Sequence, residues 1–231
     1  MLVSQYAVGQ ATGADSLFVQ AARSQAIRHY EQTLQPQAHV YEGDQYINHD
    51  PRIKIHPYYL VDSLLTGTVV YRGVAYRDVA MIYDIVRDEL VVQPPGGGYR
   101  LRLRTDKIAQ FSLGHHQFTR LVGDSLAGVR TGFYEVIYPG RVKALAKRQK
   151  TVHEDISGGS YKADYLTQDR YIIQKEGVFY PVKTRRSVLA LFPDQTRALR
   201  KYLRTNHLTF KEEQRGQTIA QLTQQYDELT H

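Results

Sequence analysis

The chain has 231 residues and a net charge of +7, and its 42% hydrophobic and 23% charged residues are an ordinary globular composition. It contains no cysteine, which excludes a disulfide framework, a thiolate nucleophile and a cysteine-ligated metal. No apolar run approaches the ~20 residues that a membrane-spanning helix needs. The basic balance permits an anionic partner without identifying one.

The N-terminal region favours an exported protein. Val8-Gly9-Gln10-Ala11 places small residues where signal peptidase prefers them, although residues 1–11 lack the basic start and long apolar stretch of a complete signal peptide. We therefore expect residues 1–14 to be the remnant of a signal peptide whose true start lies upstream of Met1. The alternative is a flexible terminus of a cytosolic protein. A helix capped by Asp15-Ser16 is predicted to follow and to run through about Leu34.

Residues from Thr68 onward predict a succession of antiparallel strands. Three segments share one formula, in which β-branched and aromatic residues flank a reversal at Arg72-Gly73, Pro139-Gly140 or Glu176-Gly177. Glycine supplies the positive φ that such a reversal needs. The predicted strands are 68–72, 74–78, 80–86, 89–93, 99–104, 107–113, 116–122, 132–138, 141–149, 161–165, 169–175 and 178–183.

Helical patterns return near the C-terminus, at 187–192, 194–205 and 211–229. The apolar residues expected to pack on the sheet or on a partner are Leu189, Leu199, Leu203, Ile219, Leu222 and Tyr226. The chain shows no alternation of strand and helix, which argues against a Rossmann or TIM-barrel fold.

This order of elements predicts an α+β fold, an antiparallel β-rich sheet or partly closed barrel with an N-terminal helix and C-terminal helices. Residues 15–186 would form the N-terminal helix and the antiparallel β domain. Residues 187–231 would form a C-terminal helical segment packed on the sheet.

Several motifs have the composition of a binding site without its context. The glycine-rich stretches 94–98 and 156–160 lie between predicted strands, whereas a phosphate cradle leads into a helix. They are interpreted as hairpin loops. His115-His116 would point to opposite faces of a strand, which suits surface histidines better than metal ligands. The sequence therefore predicts no cofactor and no metal site.

Asp84 and Asp88 carry the strongest catalytic alternative. If the strand is unbroken, they lie on one face, where two carboxylates can perform acid–base chemistry. If Asp88-Glu89 instead forms a turn between two strands, the aspartate side chains bond nearby backbone N–H groups. His153 is the histidine that a hydrolase built on Asp84 and Asp88 would use, and such an enzyme requires the three side chains to converge.

Two groups of cations are the best functional clue. The first lies in a predicted strand and the residues after it: Arg141, Lys143, Lys147, Arg148 and Lys150. The second has the spacing of one helical face: Arg197, Arg200, Lys201 and Arg204. Lys183, Arg185 and Arg186 come shortly before the second group. Together these cations would form an anion-binding surface, and the alternative is a solvated charged face.

The chain also resembles a family of exported proteins from Bacteroidota. The resemblance rests on Gly73-Val74-Ala75-Tyr76-Arg77-Asp78-Val79, Tyr83-Asp84, Gly132-Phe133-Tyr134-Glu135 and Tyr226-Asp227-Glu228-Leu229, and it covers most of residues 15–229. The family has no assigned function and usually carries a signal peptide. The resemblance therefore implies a periplasmic or cell-surface location, and it carries over no catalytic residues.

Together these observations predict a non-catalytic binding or structural module of the cell envelope with a basic surface. The expected partner is an anionic envelope polymer, such as lipopolysaccharide or a wall polymer, or an acidic protein. A nucleic-acid-binding protein of the cytosol is the first alternative, because it would use the same cations. The hydrolase is the second.

Overall fold

A computed structural model describes residues 39–123, 128–155 and 162–230. The chain divides into two compact units, residues 1–40 and residues 41–231. The predicted signal remnant and the predicted helix at 15–34 lie outside the described residues, as does the glycine-rich stretch 156–160. Of the first unit, the structure describes only His39 and Val40.

The second unit contains thirteen strands and three α-helices in its described part. The strands are β1 (Asp44–Gln45), β2 (Leu65–Tyr71), β3 (Val74–Asp84), β4 (Glu89–Val92), β5 (Leu101–Arg102), β6 (Ile108–Leu113), β7 (His116–Leu121), β8 (Gly132–Tyr138), β9 (Lys143–Lys147), β10 (Lys150–Asp155), β11 (Lys162–Thr167), β12 (Arg170–Lys175) and β13 (Val178–Val182). The helices are α1 (Arg185–Ala190), α2 (Thr196–Thr205) and α3 (Glu212–Leu229).

Eleven strands form one antiparallel sheet in the order β1-β5-β4-β3-β2-β6-β7-β8-β9-β12-β13, and β10 pairs with β11 separately. Two of the predicted reversals are two-residue turns in which both residues have positive φ, at Arg72-Gly73 (52° and 81°) and Glu176-Gly177 (52° and 80°). Such turns match the right-handed twist of the strands that they join. The β-rich α+β fold predicted from the sequence is confirmed, and the sheet is open.

The sheet curls strongly around an aromatic cluster. Tyr83 on β3 and Phe133 on β8 are separated by four strand spacings, or ~19 Å in a flat sheet. Their ring centroids are nevertheless only 5.9 Å apart. Phe111 and Phe118, on the intervening strands β6 and β7, stack at 4.7 Å, and both contact Tyr83. Curvature thus brings strands together that hydrogen bonding alone keeps apart.

The three helices pack on the strands at the other end of the sheet. Small side chains, Ala144 and Ala146 on β9, lie in the same core as Leu222 and Tyr226 of α3. Near the end of α3, the buried Asp227 accepts hydrogen bonds from the backbone N–H of Arg141 at 2.9 Å and from the Tyr138 hydroxyl at 3.0 Å. A Cβ at position 140 would overlap the Asp227 carboxylate and the Tyr138 ring, so glycine is required there.

The predicted strand at 141–149 is two strands with different partners. β9 ends at Lys147 within the main sheet, and β10 begins at Lys150 in the separate hairpin. At the break, the Asp169 carboxylate accepts hydrogen bonds from the Arg148 side chain and from the backbone N–H of Gln149. Between β9 and β10 the backbone N–H of Gln149 thus bonds to the Asp169 side chain instead of to a neighbouring strand.

Phe118→Ala should lower the free energy of unfolding by about 3–5 kcal/mol, because it leaves a cavity among packed rings. Val74→Ala is the matched control, since Val74 is 51% exposed, and it should change stability by less than about 1 kcal/mol. Urea unfolding followed by circular dichroism measures both. Equal losses would contradict an aromatic cluster at the centre of the fold.

Candidate functional site

Six exposed cations lie on the outward faces of α1 and α2, and we call them the helical basic surface. They are Arg185, Arg186, Arg197, Arg200, Lys201 and Arg204. The segment 185–204 contains a single acidic residue, Asp194. None of the six forms an ion pair with another residue that the structure describes. The positive charge of this surface is therefore not compensated within the described chain.

Local sequence fixes the orientation of this surface. Thr184 begins α1 through a capping box, because its Oγ1 accepts a hydrogen bond from the backbone N–H of Ser187 at 3.2 Å and the Ser187 hydroxyl reaches back to the Thr184 N–H. Leu199 and Leu203 of α2 are buried. The cations at spacings of three and four residues from one another consequently face solvent.

A groove of about 500 Å³ runs between α1 and α2. Arg185, Arg186 and Arg200 line it together with Leu189 and Pro193. The groove combines three cations with a small apolar floor. Such a surface attracts anions with a strength that depends on salt, because its cations are solvated.

Three cations of the other predicted group have partners within the protein. Lys147 Nζ lies 2.5 Å from Asp88 Oδ2. Arg148 Nε donates to Glu135 Oε2 at 2.6 Å. Lys150 Nζ donates to two backbone carbonyl oxygens, those of His56 at 2.6 Å and Tyr58 at 3.1 Å. Of this group only Arg141 and Lys143 are exposed.

The Lys147–Asp88 pair is built into the fold. The Tyr83 hydroxyl donates to Asp88 Oδ1 at 2.5 Å, and Lys147 Nζ lies 5.5 Å from the centroid of the Tyr134 ring. Burial lowers the pKa of Lys147, and the charge of Asp88 opposes that shift. A Cβ at position 132 would overlap both charged groups of the pair. Gly132, with a φ of 145°, thus leaves the space that the Asp88–Lys147 ion pair occupies.

Asp84 is fully buried and saturated with hydrogen bonds. Its Oδ2 accepts from the Tyr46 hydroxyl at 2.9 Å and contacts His49 Nε2 at 2.6 Å. Its Oδ1 accepts from the backbone N–H groups of Val86 at 2.9 Å and Arg87 at 3.0 Å. Asp84 thus has the structural role of an aspartate beside a turn, but the turn covers residues 85–88 rather than the predicted Asp88-Glu89.

The structure does not bring together the three residues of the hydrolase alternative. Asp84 ends β3, and Asp88, with a φ of 61°, ends the turn that follows. His153 is an exposed residue of β10, opposite Asp164 on β11. Among the described residues, no hydrogen bond or ion pair joins His153 to either aspartate. Asp84 is fully buried, whereas His153 is exposed.

A second, partly buried network joins His116 and Arg148, which the sequence analysis considered separately, to three further residues. Tyr59, His116, Glu135, Arg148 and Asp169 form a continuous chain of polar contacts. Within it, His116 Nδ1 lies 2.5 Å from Glu135 Oε1, and the Tyr59 hydroxyl donates to the same oxygen at 3.1 Å. The sequence does not indicate that these residues meet, because they come from five separated segments.

The charge balance of Glu135 follows from this network. Burial raises the pKa of Glu135, but the positive charge of Arg148 and the hydrogen bond from His116 outweigh burial. The pKa of Glu135 consequently lies below the ordinary value of a glutamic acid. For Arg148, burial lowers the pKa, and the carboxylates of Glu135 and Asp169 raise it by more. Both groups are charged at neutral pH.

Within the described residues, no helix is both long enough and apolar enough to cross a membrane. Comparison with family models, with curated proteins and with solved structures finds no match to this chain.

Gly132→Ala should destabilise the protein by at least about 1 kcal/mol, because the new methyl group meets the Asp88–Lys147 pair at a backbone conformation that suits glycine. Gly98→Ala is the control, since a Cβ there meets no atom within 4 Å. Thermal unfolding compares the two variants. If the two substitutions had the same effect, Gly132 would not be needed to make room for the Asp88–Lys147 ion pair.

Glu135→Gln should destabilise the protein most at neutral pH. The stabilisation by the Glu135 charge is present above the pKa of the unfolded state and is lost as pH falls through the lower pKa of the folded state. The difference in unfolding free energy between wild type and variant should therefore shrink as pH falls below the ordinary pKa of glutamic acid.

Urea titrations from pH 7 downward measure this difference. The exposed Glu176→Gln is the control, and its effect should be small at every pH. A difference for Glu135→Gln that stays constant with pH would show that its ionisation does not support the fold.

Proposed function

We propose that the protein is a non-catalytic binding module of the cell envelope, located in the periplasm or at the cell surface, that holds an anionic polymer on the helical basic surface. The observation that carries the proposal is the group of six exposed cations without an ion-pair partner among the described residues. Exposed cations each contribute little, but several acting on one polyanion add up. The resemblance to exported proteins supports the location.

The arrangement of the acidic residues supports binding rather than hydrolysis. General acid–base catalysis needs a carboxyl group within reach of the substrate. Asp84 is fully buried, and both of its oxygens are occupied by the protein. Asp88 is held between the Tyr83 hydroxyl and Lys147. Both aspartates thus have structural roles that account for their positions.

The ligand class follows from the chemistry of the surface. Five of the six cations are arginines, whose planar guanidinium groups bind phosphate and carboxylate in pairs of hydrogen bonds. The groove between α1 and α2 is open and adds apolar contact from Leu189. Lipopolysaccharide, with phosphate groups next to acyl chains, matches this combination. A nucleic acid matches the charge alone and is the second candidate.

Arg197→Glu/Arg204→Glu should weaken binding of the purified chain to lipopolysaccharide vesicles by at least about tenfold at low salt, since opposite charges are replaced by like charges. Lys54→Glu/Lys162→Glu is the matched control, because both lysines are exposed and lie outside the helices. This control makes the same change in net charge and should leave affinity nearly unchanged. Sedimentation of the vesicles measures binding.

Two outcomes would contradict the proposal. Equal losses in both double variants would mean that net charge, rather than the helical basic surface, attracts the vesicles. Tighter binding to a single-stranded oligonucleotide, together with recovery of the native protein from the cytosolic fraction of host cells, would make nucleic acid the partner.

A further inference from the structure

A separate cleft of about 800 Å³ lies where the ends of β12 and β13 meet the first turns of α3 and the segment around Arg130. Its described lining carries five cations and two carboxylates. The cations are Arg130, Lys147, Arg170, Lys183 and Arg215, and the carboxylates are Asp169 and Glu212. We call this site the basic cleft. It does not share a cation with the helical basic surface.

The charges of the basic cleft are not balanced by its own carboxylates. Asp169 is engaged by Arg148, which leaves Glu212, an exposed residue at the start of α3. Arg130, Arg170 and Lys183 form no ion pair with any residue in the described part of the chain. The cleft therefore keeps a strong net positive charge.

Two cations that line the cleft have side-chain nitrogen atoms that are buried beneath its surface. Arg215 Nε is buried and has no hydrogen-bond partner within the described residues. Lys147 is 7% exposed, and its only described ionic contact is with Asp88. An ammonium group has three N–H donors, so further acceptors can be bound. The cations whose charge faces the cleft are therefore chiefly the exposed Arg130, Arg170 and Lys183.

Arg130, Arg170 and Tyr134 all line the basic cleft. Burial raises the pKa of Tyr134, and the charges of Arg170 and Arg130 both oppose that rise. The Tyr134 hydroxyl also donates to the backbone oxygen of Arg130 at 2.8 Å, which fixes the segment that carries this arginine. Arg130 and Arg170 thus reach the basic cleft from two different segments of the chain.

We propose that the basic cleft binds a phosphate monoester whose organic part has the size of a sugar or nucleoside. A phosphate monoester carries close to two negative charges and three acceptor oxygens, and arginine forks match its geometry. A simple carboxylate would leave most of the cations uncompensated. The volume lies within the range of small-molecule sites, so it leaves room for the organic part. This site is independent of polymer binding on the helical basic surface.

Isothermal titration of the full chain with glucose 6-phosphate and adenosine 5′-monophosphate tests the proposal. At least one ester should bind, whereas glucose and adenosine should not. Arg130→Gln/Arg170→Gln should lower the affinity for the ester by at least about tenfold, because charge-assisted hydrogen bonds are lost. Arg197→Gln/Arg204→Gln is the matched control and should leave the affinity for the ester unchanged.

Absence of binding by both esters would overturn the proposal, and so would an unchanged affinity in the Arg130→Gln/Arg170→Gln variant. Inorganic phosphate that binds as tightly as the esters would overturn the assignment of an organic part. The cleft variant should still bind lipopolysaccharide vesicles like wild type, so failure at this site and failure of the helical basic surface give different results.

Discussion

Packing of Tyr83, Phe111, Phe118 and Phe133 into one cluster is the constraint on which the rest of the molecule depends. Rings from β3 and β8 can meet only if the sheet between them curls. Curling also brings the turn after β3 against the end of β9, which lies five strand positions away in the sheet. The backbone N–H of Lys150 there donates to the oxygen of Ile85 at 3.1 Å. Apolar burial thus sets the position of the polar contacts.

The ion pairs at this junction are a consequence of that geometry. Lys147 and Arg148, adjacent in sequence, are tied to Asp88 and Glu135 respectively. Burying charges costs solvation, so such pairs add little net stability, but loss of one partner leaves an uncompensated charge and is destabilising by roughly 3–5 kcal/mol. Their role here is to hold one relative placement of the β3–β4 turn and β9.

Lys147 and Arg148 are paired inside the protein. The exposed cations of the helical basic surface and of the basic cleft remain, and these two sites differ in shape and burial. The helices carry exposed arginines, and the polyanion proposed for them would be recognised mainly through charge, because solvated cations select little for shape. The basic cleft is concave and includes buried donors, which favours a compact ligand. The difference in burial, rather than a difference in residue type, distinguishes the two kinds of recognition.

Short-range information in the sequence was enough to predict most strands and the three helices of the described part of the chain, but not the break between β9 and β10 or the single strand β3, which was predicted as 74–78 and 80–86. Glycine at 73 and 177 and alternating β-branched residues act over a few positions, so their effect can be seen without knowing the rest of the fold. The outward placement of Arg197, Arg200 and Arg204 likewise follows from helical spacing alone. The contacts between distant segments could not be predicted from these local patterns.

Only the tertiary structure decided which cations stay available. The sequence around Lys147 does not predict its ion pair with Asp88. The two residues are 59 positions apart, and the curl of the sheet brings them together. The same holds for Arg130, Arg170 and Arg215, which lie in three distant segments and meet at one cleft. Helical and strand periodicity relate neighbours along the chain, whereas burial and charge pairing depend on which distant segments share space.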